Sequence, residues 1–444
     1  MKNFGKDNQV FSWLVGILIV GLLIFGGIPL ATAQKKATVT FWSPYTLPFY
    51  EPWTSWMPET FNKLHPNIKV EVTGMPWARI KDKLLPAMAA GSPPDLVQLN
   101  GGPIVEYVAR GYVVPIDKFI ENDPLVDLKD WFLDRRRRVT YEDHVYGLPF
   151  EADSLVFYWN KGYFREAGLN PEKIPRFLSE LDIYAEKLTK KDSKGEYNVL
   201  GFIPWGGKSE RFEHWVWKNH GKLYDLETGK ITAADPRNVE MLEWEVGYAK
   251  KYGATKIGAL QESVTVIGDV TGVSSEFAIG LVAMQAGGSY LWSQIDKYGP
   301  DIDYGMSPYV PIPKGGIDAG IAGGSLIWIP VGSKGVEKNP EAVWEFMKWY
   351  SIVAMQVWCL QVGDLVPRPE YVDLWMFASS WKVRASLEAL KFAHPYPNIP
   401  VIKFYRDQLM EAVEYAVYGK KTPKQALEDV EKTVQAELRR LIKK

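Results

Sequence analysis

The chain has 444 residues, 46% hydrophobic and 24% charged, a composition typical of a globular protein with about two domains. Its formal net charge of −1 provides no positive field that would attract a nucleic acid or an anionic membrane surface. The single cysteine, Cys359, excludes an intramolecular disulfide and a cysteine-rich zinc cluster. Its apolar neighbours predict a buried thiol.

The first 33 residues have the pattern of a targeting segment. Lys2 and Lys6 precede an apolar run over residues 13–28, and the sequence ATA at residues 31–33 is typical of a cleavage site. The run is long for a cleaved signal peptide, so an uncleaved membrane anchor is the alternative. We therefore expect an exported protein that is periplasmic or at the cell surface.

Residues 37–100 predict a run of three strands separated by two helices. The strands are VTFW, IKVEVTGMPW and PDLVQLN, and the last has the continuous apolar character of a buried parallel strand. An open α/β sheet binds ligands beyond the carboxyl ends of its strands. Here those ends bear Trp42, Trp77 and Asn100.

The remaining chain predicts a second α/β region and several passages between two lobes. The passages are expected near residues 150, 310 and 370. They divide the chain into residues 37–150 with 311–370, and residues 151–310 with 371–444.

Smaller segments predict individual elements. SSEFAIG predicts a helix before the strand LVAMQAGG, and the run RRRR over residues 135–138 predicts a solvated helix face. Thr422, Pro423 and Gln425 predict an N-cap, a first-turn proline and a capping-box partner for the last helix.

These segments resemble the family 1 extracellular solute-binding proteins of ABC importers, the group that includes maltose-binding protein. The resemblance extends from about Ala37 to the C-terminus through six segments in order: FNKLHPNIKVEV, KLLPAMAAGSPPDLVQLN, YGLPFEADSLVFYWNKGYFREAGL, AMQAGGSYLW, GGSLIWIP and GKKTPKQALEDV. It implies an α/β, two-lobed periplasmic-binding-protein fold of type II-like topology, with discontinuous lobes joined by a multi-strand hinge. It also implies a carbohydrate ligand in the cleft and docking onto a membrane permease. We expect a monomeric mature chain that binds no nucleic acid, metal or cofactor.

A sugar has one face of C–H groups that packs on aromatic rings, and a rim of hydroxyls that needs hydrogen-bonding side chains. Both kinds of side chain stand at predicted strand ends and crossings. The resemblance adds Tyr290 and Trp292 as an aromatic platform and a glycine turn beside the ligand, and it places Asn100 where relatives often have a carboxylate. The predicted ligand-binding residues are Trp42, Tyr45, Trp77, Asn100, Glu151, Asp153, Trp205, Tyr290, Trp292 and Gly324.

Several alternatives stay open from the sequence. The ligand could be a peptide or another polar metabolite, or the module could serve an adhesin or chemoreceptor. Glu151 and Asp153 are two carboxylates near the expected sugar, as a glycoside hydrolase requires, although a pair on one side of a bond does not flank it. Asp364 and Arg368 fit either a cleft rim or an ion pair, and His394 fits either the cleft or a turn.

Other motifs fail on spacing. GGKS at residues 206–209 lacks the earlier glycine of a phosphate-binding loop, because Phe202 stands in its place. The five histidines show no HExxH spacing.

Overall fold

The computed structural model has two hydrophobic cores, each around its own mixed sheet. The structure describes residues 36–45, 51–100, 104–205, 212–271, 275–374, 379–394 and 396–442. The predicted targeting segment and the GGKS sequence lie outside the described residues. In the described part of the chain, no helix has both the length and the apolar character needed to cross a membrane.

Sixteen strands are present in the described residues, several of them only two residues long. They are β1 Ala37–Ser43, β2 Ile68–Gly74, β3 Leu96–Asn100, β4 Thr140–Tyr141, β5 His144–Val145, β6 Leu148–Pro149, β7 Asp153–Asn160, β8 Lys190–Lys191, β9 Tyr197–Val199, β10 Tyr224–Asp225, β11 Lys230–Ile231, β12 Met284–Gly288, β13 Tyr304–Ser307, β14 Gly320–Gly323, β15 Ser325–Trp328 and β16 Ala393–His394.

The α-helices of the described residues number eighteen. They are α1 Glu51–Leu64, α2 Trp77–Ala89, α3 Val105–Ala109, α4 Asp117–Glu121, α5 Leu133–Val139, α6 Lys161–Glu166, α7 Leu178–Leu188, α8 Phe212–Lys218, α9 Pro236–Tyr252, α10 Ala254–Thr271, α11 Leu291–Tyr298, α12 Lys334–Lys338, α13 Pro340–Trp349, α14 Met355–Val362, α15 Pro369–Val372, α16 Trp381–Leu390, α17 Ile402–Val417 and α18 Pro423–Ile442. The described residues also contain a 3₁₀ turn, Leu128–Asp130, and a π-helical segment, Tyr350–Ala354.

The first lobe is built on the sheet β2-β1-β3-β15-β6. β1 pairs in parallel with both β2 and β3, which confirms the predicted βαβαβ run. β15 runs antiparallel to β3 and to β6. The carboxyl ends of β1, β2, β3 and β6 therefore share one edge with the amino end of β15.

The second lobe is built on the sheet β12-β7-β14-β16, with β13 also paired to β7. β12 and β14 run antiparallel to β7, and their last residues, Gly288 and Gly323, pair with Leu155 and Asp153. The carboxyl ends of β12 and β14 thus lie where β7 begins.

The chain passes between the two cores three times, and residues 364–366, which precede the third passage, lie beside the first two. The amide of Phe150 donates to the carbonyl of Ser325, and Ala152 and Leu365 exchange two backbone hydrogen bonds at 2.8 and 2.9 Å. Residues 150–153 therefore lie between residues 323–325 and residues 364–366. We call this three-segment group the crossings. The predicted lobe limits stay predictions, because packing assigns residues to a core and not to a rigid body.

Of two local predictions, the start of the last helix is confirmed and a helix before β12 is wrong. The last helix begins as predicted, with Thr422 Oγ1 accepting from the Gln425 amide at 3.2 Å and Gln425 Oε1 accepting from the Thr422 amide at 3.3 Å. The helix predicted over SSEFAIG is wrong, because residues 276–280 form turns that lead into β12. Phe277 and Ala278 are buried there, so the apolar residues serve the second core without a helix.

Candidate ligand site at the crossings

The crossings bring the two carboxyl edges face to face. Glu151 follows β6 in the first lobe, and Asp153 begins β7 in the second, two residues later. Gly324 joins β14 of the second lobe to β15 of the first. This is the position at which an α/β sheet binds ligands, and here two sheets provide it together.

Glu151 is buried, and its carboxylate is bound by the next crossing. Ser325 donates its amide to Oε1 at 2.8 Å and its hydroxyl to Oε2. Burial raises the pKa of Glu151 to about 7, although the bonds from Ser325 and the charge of Arg135 lower it. Asp153, whose charge raises the pKa of Glu151, accepts instead from the amide and hydroxyl of Ser289 in the second lobe, at 2.9 and 3.0 Å.

Asp364 lies in the third segment of the crossings, residues 364–366, and is a second buried acid of this group. The indole Nε1 of Trp358 donates to its Oδ2 at 2.7 Å. Burial, and then the charges of Glu151 and Asp153, raise the pKa of Asp364. The alternative of an ion pair with Arg368 is wrong, because Arg368 binds Asp130 at 2.7 Å and Glu370 at 2.8 Å.

Arg135 is a buried cation whose charge lowers the pKa of Glu151. It extends from α5, donates through Nη1 to the carbonyl of Gly323, and donates through Nη2 to Asp134. The expectation of a solvated basic face is therefore wrong at two of its four arginines, because Arg135 is 1% exposed and Arg138 is 9% exposed. Burial lowers the pKa of Arg135 to about 10, which leaves it charged at neutral pH.

Gly324 is required at its position for two reasons. Its φ of +120° lies in a region that residues with a Cβ rarely adopt. A Cβ built there would lie 2.2 Å from the carbonyl oxygen of Glu151 and 2.6 Å from Nη1 of Arg135. The tight approach of the first two crossings therefore depends on this glycine.

The aromatic residues of the first lobe form a stack beside the crossings. Tyr45 stacks on Trp358 with ring centroids 3.7 Å apart, and it meets the ring of Trp77 edge-on at 5.8 Å. Tyr45 is 4% exposed, whereas Trp77, at the start of α2, is partly exposed. Trp42 is also partly exposed, but it lies on the face of β1 opposite to the buried Phe41.

The remaining predicted residues occupy different surroundings. Tyr290 follows β12 and is partly exposed, with its ring against Gly288. Trp292 lies against Gly363 of the first lobe. Trp205 is 7% exposed in the second core. Asn100 ends β3, and its side chain lies outside the described part of the structure.

Sequence reasoning predicted no role in this site for four side chains that hold the arrangement together: Arg135, Ser289, Ser325 and Trp358. Ser325 follows the two glycines of the GGSLIWIP segment, which is the only signal that could have marked it. His394 is stacked on Trp217 with centroids 4.6 Å apart. In the described residues no cluster of His, Cys, Asp and Glu suited to hold a metal ion is present.

Two discontinuous α/β lobes with facing carboxyl edges and three passages of the chain between them define the two-lobed periplasmic-binding-protein fold. The chain belongs to the bacterial extracellular solute-binding proteins, whose family model matches residues 43–351. It is similar to CpMnBP1, solved with mannotriose bound, at 27% identity and a TM-score of 0.79, over 90% of this chain and 100% of that one. It is also similar to maltose-bound MalE3 of T. maritima, at 20% identity and a TM-score of 0.75, over 90% and 100% of the two chains.

Similarity in sequence extends to further binding proteins. A putative binding protein of Brucella abortus is 24% identical over 422 residues, which cover 94% of this chain and 96% of that protein. The sn-glycerol-3-phosphate-binding periplasmic protein UgpB of Escherichia coli K12 is 24% identical over 444 residues, which cover 93% of each. These relatives are binding proteins, and the family is extracellular.

Proposed function

We propose that the protein binds a neutral sugar or oligosaccharide between its two lobes and delivers it to an ABC permease. The observation that supports this most directly is the meeting of two carboxyl edges at the crossings. There, Asp153 is bonded to Ser289, which precedes Tyr290 of the second lobe, and Asp364 is bonded to Trp358, which stacks on Tyr45 in the first lobe. Mannotriose bound to a relative of the same fold supports the ligand class.

We propose that the exposed groups contact the ligand and that the buried ones position them. Trp77 and Tyr290 are partly exposed and present rings from the first and second lobes. Tyr45, buried between Trp358 and Trp77, fixes the orientation of Trp77. Asp153, Asn100 and the peptide at Gly324 bind hydroxyls, and Trp42 extends the aromatic surface.

Closure of the lobes follows from contacts of this kind. A ligand that touches one lobe when open and both when closed stabilises the closed state by the difference in its contacts. Moving a population from mostly open to mostly closed takes about 5 kcal/mol of differential affinity, within reach of two stacked rings and several charge-assisted hydrogen bonds. The permease would then recognise the closed form.

The acidic character of the crossings argues against an anionic ligand such as the one named for the E. coli relative. Asp153 raises the pKa values of Glu151 and Asp364 by its negative charge, and these two buried acids offer no positive charge. The guanidinium of Arg135 is bound to Asp134 and to a carbonyl. A phosphate would need cationic partners at this position.

A thermal-shift screen of the mature chain tests the ligand class. Mannobiose, mannotriose and maltose are compared with sn-glycerol 3-phosphate and a tripeptide. We expect a saccharide to raise the melting temperature, because a ligand at a hundred times its Kd stabilises the folded state by about 2.7 kcal/mol. A rise with glycerol phosphate or peptide and none with any saccharide would contradict the proposal.

A paired substitution tests the stacking role of Tyr290. We expect Tyr290→Ala to weaken saccharide binding by about 1–3 kcal/mol through loss of the ring face, whereas Tyr290→Phe keeps most of the affinity. Isothermal titration calorimetry measures both. Equal affinities for the two variants would remove this ring from the site.

We further propose that the protein is exported by its N-terminal segment, acts as a monomer, and does no catalysis. The carboxylates of Glu151 and Asp153 are each hydrogen-bonded within a different lobe. The mass of the exported product distinguishes a cleaved signal from an anchor.

A further inference from the structure

The start of α11 in the second lobe contacts the end of α14 in the first lobe. The hydroxyl of Ser293 donates to the carbonyl of Val362 at 2.5 Å. A Cβ built on Gly363 would lie 2.5 Å from Cε2 of Trp292, so the indole ring lies directly against the backbone of Gly363. Since α14 packs in the first core and Trp292 packs against the second, this is a contact between lobes.

Gly363 permits this contact by its backbone as well as by its size. Its φ is +84°, in the left-handed region, and it ends α14 as the C-cap. Only glycine meets both requirements without strain or collision.

Lys382 lies over the Trp292 ring, whose own indole N–H is buried. The Nζ of Lys382 lies 4.9 Å from the centroid of the Trp292 ring and is held there by Asp296 at 2.8 and 2.6 Å. The Nε1 of Trp292 is buried and finds no hydrogen-bond partner among the described residues. The ring, which is partly exposed, therefore packs against protein groups of both lobes.

The position of the contact connects it to lobe movement. Two residues after Gly363, Leu365 pairs with Ala152 in the crossings. A rotation of one lobe against the other about the crossings must therefore displace α11 from the end of α14, or press the two together.

We propose that Trp292 and Ser293 form an interlobe contact that sets the balance between open and closed conformations, and that Trp292 acts there and not as a ligand platform. This inference rests on the proposed function only in requiring that the lobes move. The contact stabilises the lobe orientation seen in this structure, and weakening it moves the ligand-free population away from that orientation.

Single-molecule FRET on ligand-free protein tests the inference. Dyes are attached at Lys83→Cys in the first lobe and Glu243→Cys in the second, both exposed positions, while Cys359 is buried and stays unlabelled. Because no ligand is used, a failure here is distinct from a failure of the proposed saccharide binding.

The key variant is Gly363→Ala, and the chain offers a matched control. Gly253 also caps a helix with a φ of +84°, but a Cβ there would meet only Lys256, at 3.9 Å. Gly253→Ala therefore introduces backbone strain at the same φ, with a ψ of 104° in place of the 10° of Gly363, and without a collision between lobes.

We expect Gly363→Ala to shift the FRET distribution and Gly253→Ala to leave it unchanged. In a Trp292→Ala background, adding Gly363→Ala should cause no further shift, because the ring that the methyl group meets is gone. Ser293→Ala should change the ratio of the two populations by roughly two- to tenfold, the value of one net hydrogen bond.

Two results would overturn the inference. One is a FRET distribution for Gly363→Ala that matches the Gly253→Ala control. The other is a Trp292→Ala variant that loses saccharide binding while its ligand-free distribution and that of Ser293→Ala stay as in the wild type, which would make Trp292 a ligand contact.

Discussion

Glu245, on α9 in the second lobe, is fully buried. Neither of its carboxylate oxygens has a hydrogen-bond partner among the described residues. Burial, and then the charge of Glu213, raise the pKa of Glu245 well above its ordinary value. A buried acid without partners is held in its neutral form, and it costs free energy as the pH rises.

The pH dependence of folding stability should report this group. A carboxyl whose pKa is raised on folding binds more protons in the folded than in the unfolded state, so the free energy of unfolding falls as the pH rises above about 4.3. We expect Glu245→Gln to reduce this fall, and Glu245→Met to raise the free energy of unfolding at pH 7 by about 1–3 kcal/mol. Urea unfolding between pH 4.5 and 8 measures both.

Glu243→Gln, exposed on the same helix, is the control for this experiment. If the Glu245 variants keep the pH profile of the wild type, then Glu245 is not the group that titrates. Glu151 and Asp364, whose pKa values are also raised, would be tested next by the same profile.

The sequence predicted the identity of many candidate residues better than their exposure. Aromatic and acidic residues at strand ends were visible as a pattern, and Glu151, Asp153 and Gly324 do meet at the crossings. Burial could not be predicted: Tyr45 stacks on Trp358, a residue more than 300 positions later, and Arg135 reaches the carbonyl of Gly323. Such pairings depend on tertiary contacts that no local pattern contains.

At the scale of elements, the predictable parts are those with local signals. Hydrophobic periodicity indicated β1 to β3 and the helices between them, and capping residues fixed the start of α18. The helix predicted after residue 273 failed because apolar residues filled the second core from turns. The π-helical segment after α13 was equally unforeseen, and it contains Tyr350, whose hydroxyl donates to Oε1 of Gln98 at 2.6 Å.

The crossings should be sensitive to a single added methyl group. Gly324→Ala would bring a Cβ within 2.2 Å of the Glu151 carbonyl oxygen and force the first two passages apart. We expect it to lower the free energy of unfolding by more than about 2 kcal/mol, the combined cost of backbone strain and overpacking. Thermal unfolding followed by circular dichroism measures the loss.

Gly111→Ala provides a reference for a positive-φ substitution without a collision. Gly111 also has a positive φ, +71°, but nothing lies within 4 Å of a Cβ built there. Gly111→Ala therefore measures the strain of a positive φ without steric overlap. If Gly324→Ala lowers the free energy of unfolding by no more than Gly111→Ala does, then the first two passages can move apart at little cost.

At the scale of the whole molecule, neither lobe is a continuous piece of chain. β15 pairs with β3 on one side and with β6 on the other, although it follows β6 by more than 170 residues. Without β15 the first sheet loses its connection to β6, and a row of backbone groups on β3 is left unpaired.

Shortened chains should show this dependence. We expect residues 36–150 alone, which contain every strand of the first sheet except β15, to lack fixed tertiary structure, seen as loss of near-ultraviolet circular dichroism and as aggregation. Residues 36–442 serve as the control. A monomeric, cooperatively unfolding 36–150 fragment would contradict the expectation.

Because β15 lies far along the sequence, it also determines when the first sheet can form during synthesis. Long-range pairing forms slowly, because loop closure must precede the contacts that stabilise it. The ribosome has to release Trp328 before the first sheet can close, so for most of translation β3 presents an open edge. A chain of this connectivity reaches its native state late, and until then it stays in the extended, unfinished form that a secretion channel can accept or a chaperone must cover.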